Sequence, residues 1–281
     1  MRINVNNPVL VKEVKLRFRS MKSFTGILFY LIAMSIFVFG YIFVTTAFTG
    51  TGFFRPDQSF LLFGLLTYIQ LGLILFITPG LTAGSISTER EKQTLNMLLT
   101  TSQSSLQIIS GKLSSSIAFL VLMLIAGLPI YSLVFLFGGI SPGQLGLIFL
   151  FFFLTMVTVG SIGVMFSTII RKTIVAMIAT YGTMIFLAGV TAFFFIISIQ
   201  VNMMGSGVNV TPSPLAHFWA SINPGILIFT LLNPTTEDVV NEMTQIDFPI
   251  WAGYTIFYVG IAASAIMISI KRLRVNMKRT K

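Results

Sequence analysis

Six long stretches of this chain contain no Asp, Glu, Lys or Arg: residues 24–46, 60–84, 113–137, 145–170, 173–199 and 249–270. An α-helix needs about 20 apolar residues to cross the hydrocarbon of a bilayer, and each stretch is long enough. Inside lipid every backbone N–H and C=O must find a partner within the protein, which a helix supplies by itself. With 55% hydrophobic residues and a mean hydropathy of +0.91, the chain has more apolar surface than a soluble core of 281 residues could hide. The expected fold is all-α and integral to the membrane, one transmembrane domain over residues 1–281 with six spans. The first apolar run begins late, is long enough to span and lacks a small-residue cleavage site, so it is expected to stay in the mature protein.

The net charge of +10 could suggest nucleic acid, but its distribution points to topology instead. With the N-terminus in the cytoplasm, every basic residue except Arg55 falls on the inner side of the membrane. That is the positive-inside pattern of a multi-pass protein of the cell membrane with both termini cytoplasmic, residues 271–281 forming a basic tail. No nucleic-acid partner is expected. Attraction to the anionic lipids of the inner leaflet is.

Ahead of the first span, residues 1–23 read as an interfacial helix. Val11, Val14, Phe18 and Met21 follow one another at helical spacing, and Lys12, Lys15, Arg19 and Lys22 repeat the pattern one residue on. An apolar stripe beside a basic one suits a helix lying on the inner membrane surface. The plainer alternative is a basic anchor that only orients the first span.

The long outer loop before the last span holds PSPLAHFWASINPGILIFTLLN, two apolar pieces broken by Asn223, Pro224 and Gly225. Neither piece can span alone, so residues 212–234 are expected to form a re-entrant helical hairpin, with a partly buried surface loop as the alternative. The acidic residues that follow, Glu237, Asp238, Glu242 and Asp247, lack the ligand pattern of a calcium loop and read as a solvated face. Asn209-Val210-Thr211 fits a glycosylation sequon, a pattern too short to carry weight.

Catalytic chemistry finds few residues to work with. Cysteine is absent and His217, the one histidine, sits between apolar neighbours where a packed side chain is expected, so neither a zinc site nor a nucleophilic centre is expected. SGKLSS at residues 110–115 is not a phosphate loop, because Leu106 and Leu113 stand where that motif needs Gly and Ser or Thr. Ion-coupled transporters commonly keep ionisable groups at midplane, and the six runs offer none, so energy for any transport is expected from a partner.

Between the second and third spans, STEREKQTLNMLLTT at residues 87–101 places Glu89, Arg90, Glu91 and Lys92 in a row. Burying four charges in lipid would cost roughly 10 kcal/mol on insertion scales, so the segment lies in water or against protein. Thr88 and Glu91 fit a capping box, and Leu95, Leu98 and Leu99 follow helical spacing, which predicts a short amphipathic helix.

These residues resemble the transmembrane subunits of ABC-2-type ATP-binding-cassette exporters. The related pattern is a Glu-Arg-Glu run, Gly-Thr-Leu-Glu, Leu-Leu, Thr-Pro and a later Gly-Lys. This chain keeps Glu89, Arg90, Glu91, Thr94, Leu95, Leu98, Leu99, Gly111 and Lys112, and departs from it at Gln93, Asn96 and Ser102. The opening NPVLVKEVKLRFRS resembles that family's N-terminal connecting helix, and the hairpin its extracellular re-entrant helices. The resemblance implies a non-catalytic subunit of an exporter, in a family whose substrates range over lipids, glycolipids, peptides, antibiotics and sodium ions; the uncharged spans favour an amphiphilic or hydrophobic cargo, such as an antibiotic, peptide or lipid. It implies a second permease, identical or related, and separate ABC ATPase subunits that hold ATP and Mg, leaving this chain without a cofactor. Residues 87–101 would be the coupling helix, with Thr88, Glu89, Arg90, Glu91, Thr94, Leu95 and Leu98 in the ATPase cleft. A non-transporting sensor or scaffold subunit and a secondary transporter are the alternatives.

Overall fold

A computed structural model describes residues 8–49, 56–95, 103–136, 138, 141–206 and 212–278, and the described residues include helices and no strand. The sequon, Arg55, Leu98 and Leu99 lie outside them. The chain order is α1 (Pro8–Phe18), α2 (Met21–Thr49), α3 (Pro56–Thr82), α4 (Ser87–Glu91), α5 (Ser105–Leu136), α6 (Pro142–Ile169), α7 (Thr173–Ile185), a π-turn (Phe186–Val190), α8 (Thr191–Ser206), α9 (Pro214–Ile222), α10 (Pro224–Leu232), α11 (Pro234–Thr244) and α12 (Ile250–Lys278). Six helical units are long and apolar enough to cross a membrane: α2, α3, α5, α6, the α7–α8 unit and α12.

The spans are not equivalent. In its most apolar stretch α6 is 67% buried and packs on α3, α5, α7 and α12, whereas α2 is only 17% buried and stands at the edge. Small residues let α6 sit at the centre. A Cβ added at Gly163 would fall 2.2 Å from Thr82 Oγ1 and 3.2 Å from the Ala83 backbone nitrogen, so α3 crosses α6 at a distance only glycine permits. That crossing fixes the end of α3 against the end of α6. The edge helix α2 is held by Met34 and Val38 in the core and by Tyr30 Oη, which donates to Gln70 Oε1 at 2.6 Å.

Several helix limits differ from those expected. The third span starts at Ser105, ahead of residue 113, because Ser104 and Gln107 form a reciprocal capping box. Gln107 N–H donates to Ser104 Oγ at 3.2 Å and Ser104 N–H donates to Gln107 Oε1 at 2.9 Å. The helix therefore carries Lys112, and this span is not free of charge. The last helix continues to Lys278, through most of the expected tail.

At the end opposite α1, the expected hairpin is a right-angled pair: α9 and α10 meet at 88°. Asn223 makes the corner, its Oδ1 accepting from Gly225 N–H at 2.8 Å and Ile226 N–H at 3.0 Å while Pro224 opens α10. At the far end of α10, Gln144 Nε2 donates to the Leu231 and Leu232 carbonyls at 2.9 and 2.7 Å. The acidic stretch beyond is not simply a solvated face. It forms α11, whose Val240 and Thr244 are buried, and Glu237 Oε1 accepts from Ile250 N–H at 3.3 Å, capping α12. His217 is packed, with Nδ1 3.2 Å from Thr244 Oγ1 and its ring edge-on to Phe248.

Candidate functional site

The charged run lies just past the end of α3. After a turn at residues 83–86, the single-turn helix α4 begins with two backbone donors, Ile86 N–H and Ser87 N–H, both given to Ser167 Oγ of α6 at 2.8 and 2.9 Å. Arg90 donates to the Thr168 and Ile170 carbonyls at 3.0 and 3.3 Å, groups that the end of α6 leaves without intrahelical partners. Glu91 accepts from Thr173 N–H at 2.8 Å and Thr173 Oγ1 at 2.9 Å, at the N-terminus of α7, where a carboxylate is favoured. One helical turn thus clamps the end of α6 to the start of α7.

This arrangement corrects the expected capping box. Thr88 Oγ1 lies 3.3 Å from Thr173 Oγ1, and α4 has no side-chain cap of its own. Glu91 caps a helix remote in sequence because Thr173 offers it an amide and a hydroxyl together.

Nor is the segment 87–101 one helix. Gln93 adopts φ +60°, Gln93 N–H donates to Arg90 O at 3.1 Å, and Thr94 N–H donates to Glu89 O at 2.9 Å. That pair of bonds is a Schellman motif, which closes a helix with a left-handed residue, usually glycine. Gln93 is the position where the related pattern has glycine. The chain restarts at Leu95, buried with Ile86, Ile108, Ile109 and Leu113, and residues 96–102, including Leu98, are outside the described set. Replacing Gln93 with Gly is expected to raise stability by about 1 kcal/mol, since a left-handed conformation costs an L-residue roughly that much. Thermal melting in detergent checks it, with Gln93→Ala as the control that should give no such gain.

Behind α4 sits an ion cluster that the sequence did not single out. Lys112 Nζ on α5 lies 3.1 Å from Glu89 Oε1 and 3.1 Å from Glu13 Oε1 of α1. The lysine side chain is 6% exposed, and the carboxylates 27% (Glu13) and 30% (Glu89). Thr94 Oγ1 also donates to Glu89. One ammonium therefore joins α1, α4 and α5. Beside it a polar cavity of about 530 Å³ is lined by residues of α1, α3, α4, α5 and α7, among them Arg17, Ser85 and Ser115. Burial pushes the Arg17 guanidinium below its ordinary value, with the Glu13 carboxylate working in the opposite direction.

The ion cluster explains why the predicted stripe on α1 does not face the bundle. Val9 is buried, Glu13 pairs with Lys112, and Arg17 lines the cavity, four residues apart along one face. Val11 is 56% exposed, and Lys12 and Lys15 are exposed beside it; Val14 and Phe18 are partly covered. Helix α1 ends at Phe18, so Arg19 lies past it and Met21 begins α2. The signal available in the sequence was Glu13 itself, the lone acid among the basic residues of that segment.

A profile of one family, described as ABC-2 family transporter protein, matches residues 51–270. The chain belongs to the ABC-2 transporter family. The match runs from before α3 into α12 and so takes in α4, Lys112 and the right-angled pair. No curated protein matches the chain. This ABC-2 permease is a multi-pass membrane protein, and members of its family serve as the transport subunit beside an ABC ATPase. Of the residues expected to meet that ATPase, the structure brings Thr88, Glu89, Arg90 and Glu91 into contacts within the permease. Thr94 stays at the tip, bonded to Glu89, and Leu95 is buried. Ser167, Thr173 and Glu13 complete the site and were not anticipated.

Proposed function

We propose that this permease is the membrane subunit of an ATP-driven exporter of amphiphilic or hydrophobic compounds, and that the segment around α4 seats a separate ATPase. The observation carrying this reading is the attachment of α4 to α5, α6 and α7 through Glu89, Arg90 and Glu91. A displacement applied to this turn reaches three spans together. Among the described residues of this segment, Glu91, Lys92, Gln93 and Thr94 remain exposed for a partner, at the tip of the turn. On this reading the α1 end faces the cytoplasm of the cell and the α9–α10 corner faces outward. ATP and Mg are held by the ATPase, and the chain itself takes no cofactor. Because α6 fills the centre of the bundle, the path for cargo lies between this bundle and that of a second permease, identical or related. A hydrophobic cargo is supported by the six apolar runs, none of which holds an Asp, Glu, Lys or Arg, and by the neutralisation of Lys112, just ahead of the third run, by Glu13 and Glu89.

Lys92 offers the test, since it is exposed at the tip and makes none of the contacts that hold α4. Lys92→Glu is expected to lower the ATPase retained on the purified permease at least tenfold, a factor equivalent to about 1.4 kcal/mol. Cargo-stimulated ATP hydrolysis should fall with it. Glu242→Lys, at the other end of the bundle, should change neither. Equal retention by the two variants would remove α4 as the docking segment.

A further inference from the structure

The polar cavity beside Lys112 contains two donors that none of the described residues accepts from. Arg17 Nη1 and Ser85 Oγ are both buried and have no hydrogen-bond partner. Leaving a charged donor buried and unpaired is costly, so such groups are ordinarily met by a ligand, an ion or water. Lys112 cannot supply the acceptor, because it is a donor and is already engaged by Glu13 and Glu89.

We propose that this cavity holds the phosphate of a membrane phospholipid headgroup, received by Arg17 Nη1 and Ser85 Oγ. Three observations point to that chemistry. A phosphodiester supplies the acceptor oxygens that guanidinium and hydroxyl groups lack here, and guanidinium is well suited to phosphate. The charges agree: Arg17 and Lys112 balance Glu13 and Glu89, and the exposed Lys92 at the rim leaves one positive charge for one phosphodiester. The position agrees as well. The cavity is lined where the apolar run of α3 gives way to the polar turn before α4, and its lining includes Leu81 and Met177 as well as the hydroxyls. A headgroup bound there keeps its acyl chains beside the spans, whereas a free anion would make no use of the apolar side. The volume of about 530 Å³ accommodates a headgroup and accompanying water.

Bound lipid is counted by native mass spectrometry on the purified permease in detergent, after delipidation and titration with phosphatidylglycerol. The wild type is expected to bind one lipid more tightly than all others. Arg17→Gln should weaken that lipid at least tenfold and Ser85→Ala several-fold, while Arg19→Gln, outside the cavity, should leave it unchanged. Arg17→Lys, which keeps the charge but loses the planar fork, should fall between. Ser85→Ala removes only an unpaired hydroxyl, so its melting temperature should match the wild type and separate lost binding from lost folding. Equal lipid retention by Arg17→Gln, Ser85→Ala and Arg19→Gln would overturn the proposal. Displacement of the lipid by millimolar inorganic phosphate would also overturn it, giving the cavity to the free anion.

Discussion

Lys112→Ala is expected to destabilise the permease by about 2 to 3 kcal/mol and to loosen α1 from the bundle. Removing one partner of a fully buried ion pair typically costs about 3 to 5 kcal/mol, because the other charge is left buried and alone. Glu13 and Glu89 retain partial contact with water, which lowers the figure. The discriminating control is Lys112→Met combined with Glu13→Gln and Glu89→Gln. With no charge left to strand, that triple variant should recover most of the loss, since neutral replacement of buried ion clusters is often nearly neutral in stability. Thermal melting in detergent reads both. Limited proteolysis ahead of Met21 should show α1 released in Lys112→Ala and retained in the triple variant. A melting temperature unchanged by Lys112→Ala would mean that the three charges are solvated and do not hold α1.

Asn223→Ala is expected to cost about 2 to 4 kcal/mol, an unusual amount for one polar side chain. Its carbonyl oxygen caps α10 through Gly225 and Ile226, a role worth about 1 kcal/mol. Its amide donates to Ala188 O at 2.7 Å, in the π-turn of the fifth span, and to Thr191 Oγ1 at 2.8 Å. Taking away a donor from buried acceptors adds about 1 to 3 kcal/mol. Asn223→Asp separates the two contributions. It keeps the cap but places a second acceptor against the Ala188 carbonyl, so it should also be destabilised, through the fifth span and not through α10. Wild-type melting of Asn223→Asp would mean that the link to the π-turn contributes nothing.

The contrast between Asn223 and Glu91 shows how far the sequence could be read. The break at Asn223 was legible because Asn, Pro and Gly act locally: Pro224 opens a helix, and Asn223 caps it through its immediate neighbours. The six spans were legible for a related reason, since the need to bury backbone polar groups applies to each apolar run by itself. Glu91 obeyed no local rule. Spacing offered it the backbone ahead of α4, and the fold offered it Thr173, which nothing near residue 91 announces. Ser104 and Gln107 carry the same kind of spacing and do form the box, each bonded through its side chain to the other's backbone amide. Lys112 was visible only as part of a family pattern. Its partnership with Glu13 depends on α1 packing against α5, a tertiary fact.

The π-turn in the fifth span works as an angular offset. An α-helix advances about 100° per residue, so one extra residue accommodated at Phe186–Val190 rotates all that follows by about that much relative to a continuous helix. The face of α8 is therefore aimed independently of the face of α7. After the turn, Phe194 meets Trp219 with ring centroids 5.0 Å apart, while before it Tyr181 Oη donates to Phe76 O at 2.9 Å. An unbroken helix that kept Tyr181 on α3 would turn Phe194 away from α9. The insertion lets one span keep two appointments, with α3 before the turn and with α9 after it, and Asn223, bonded to that same turn, keeps the offset from relaxing.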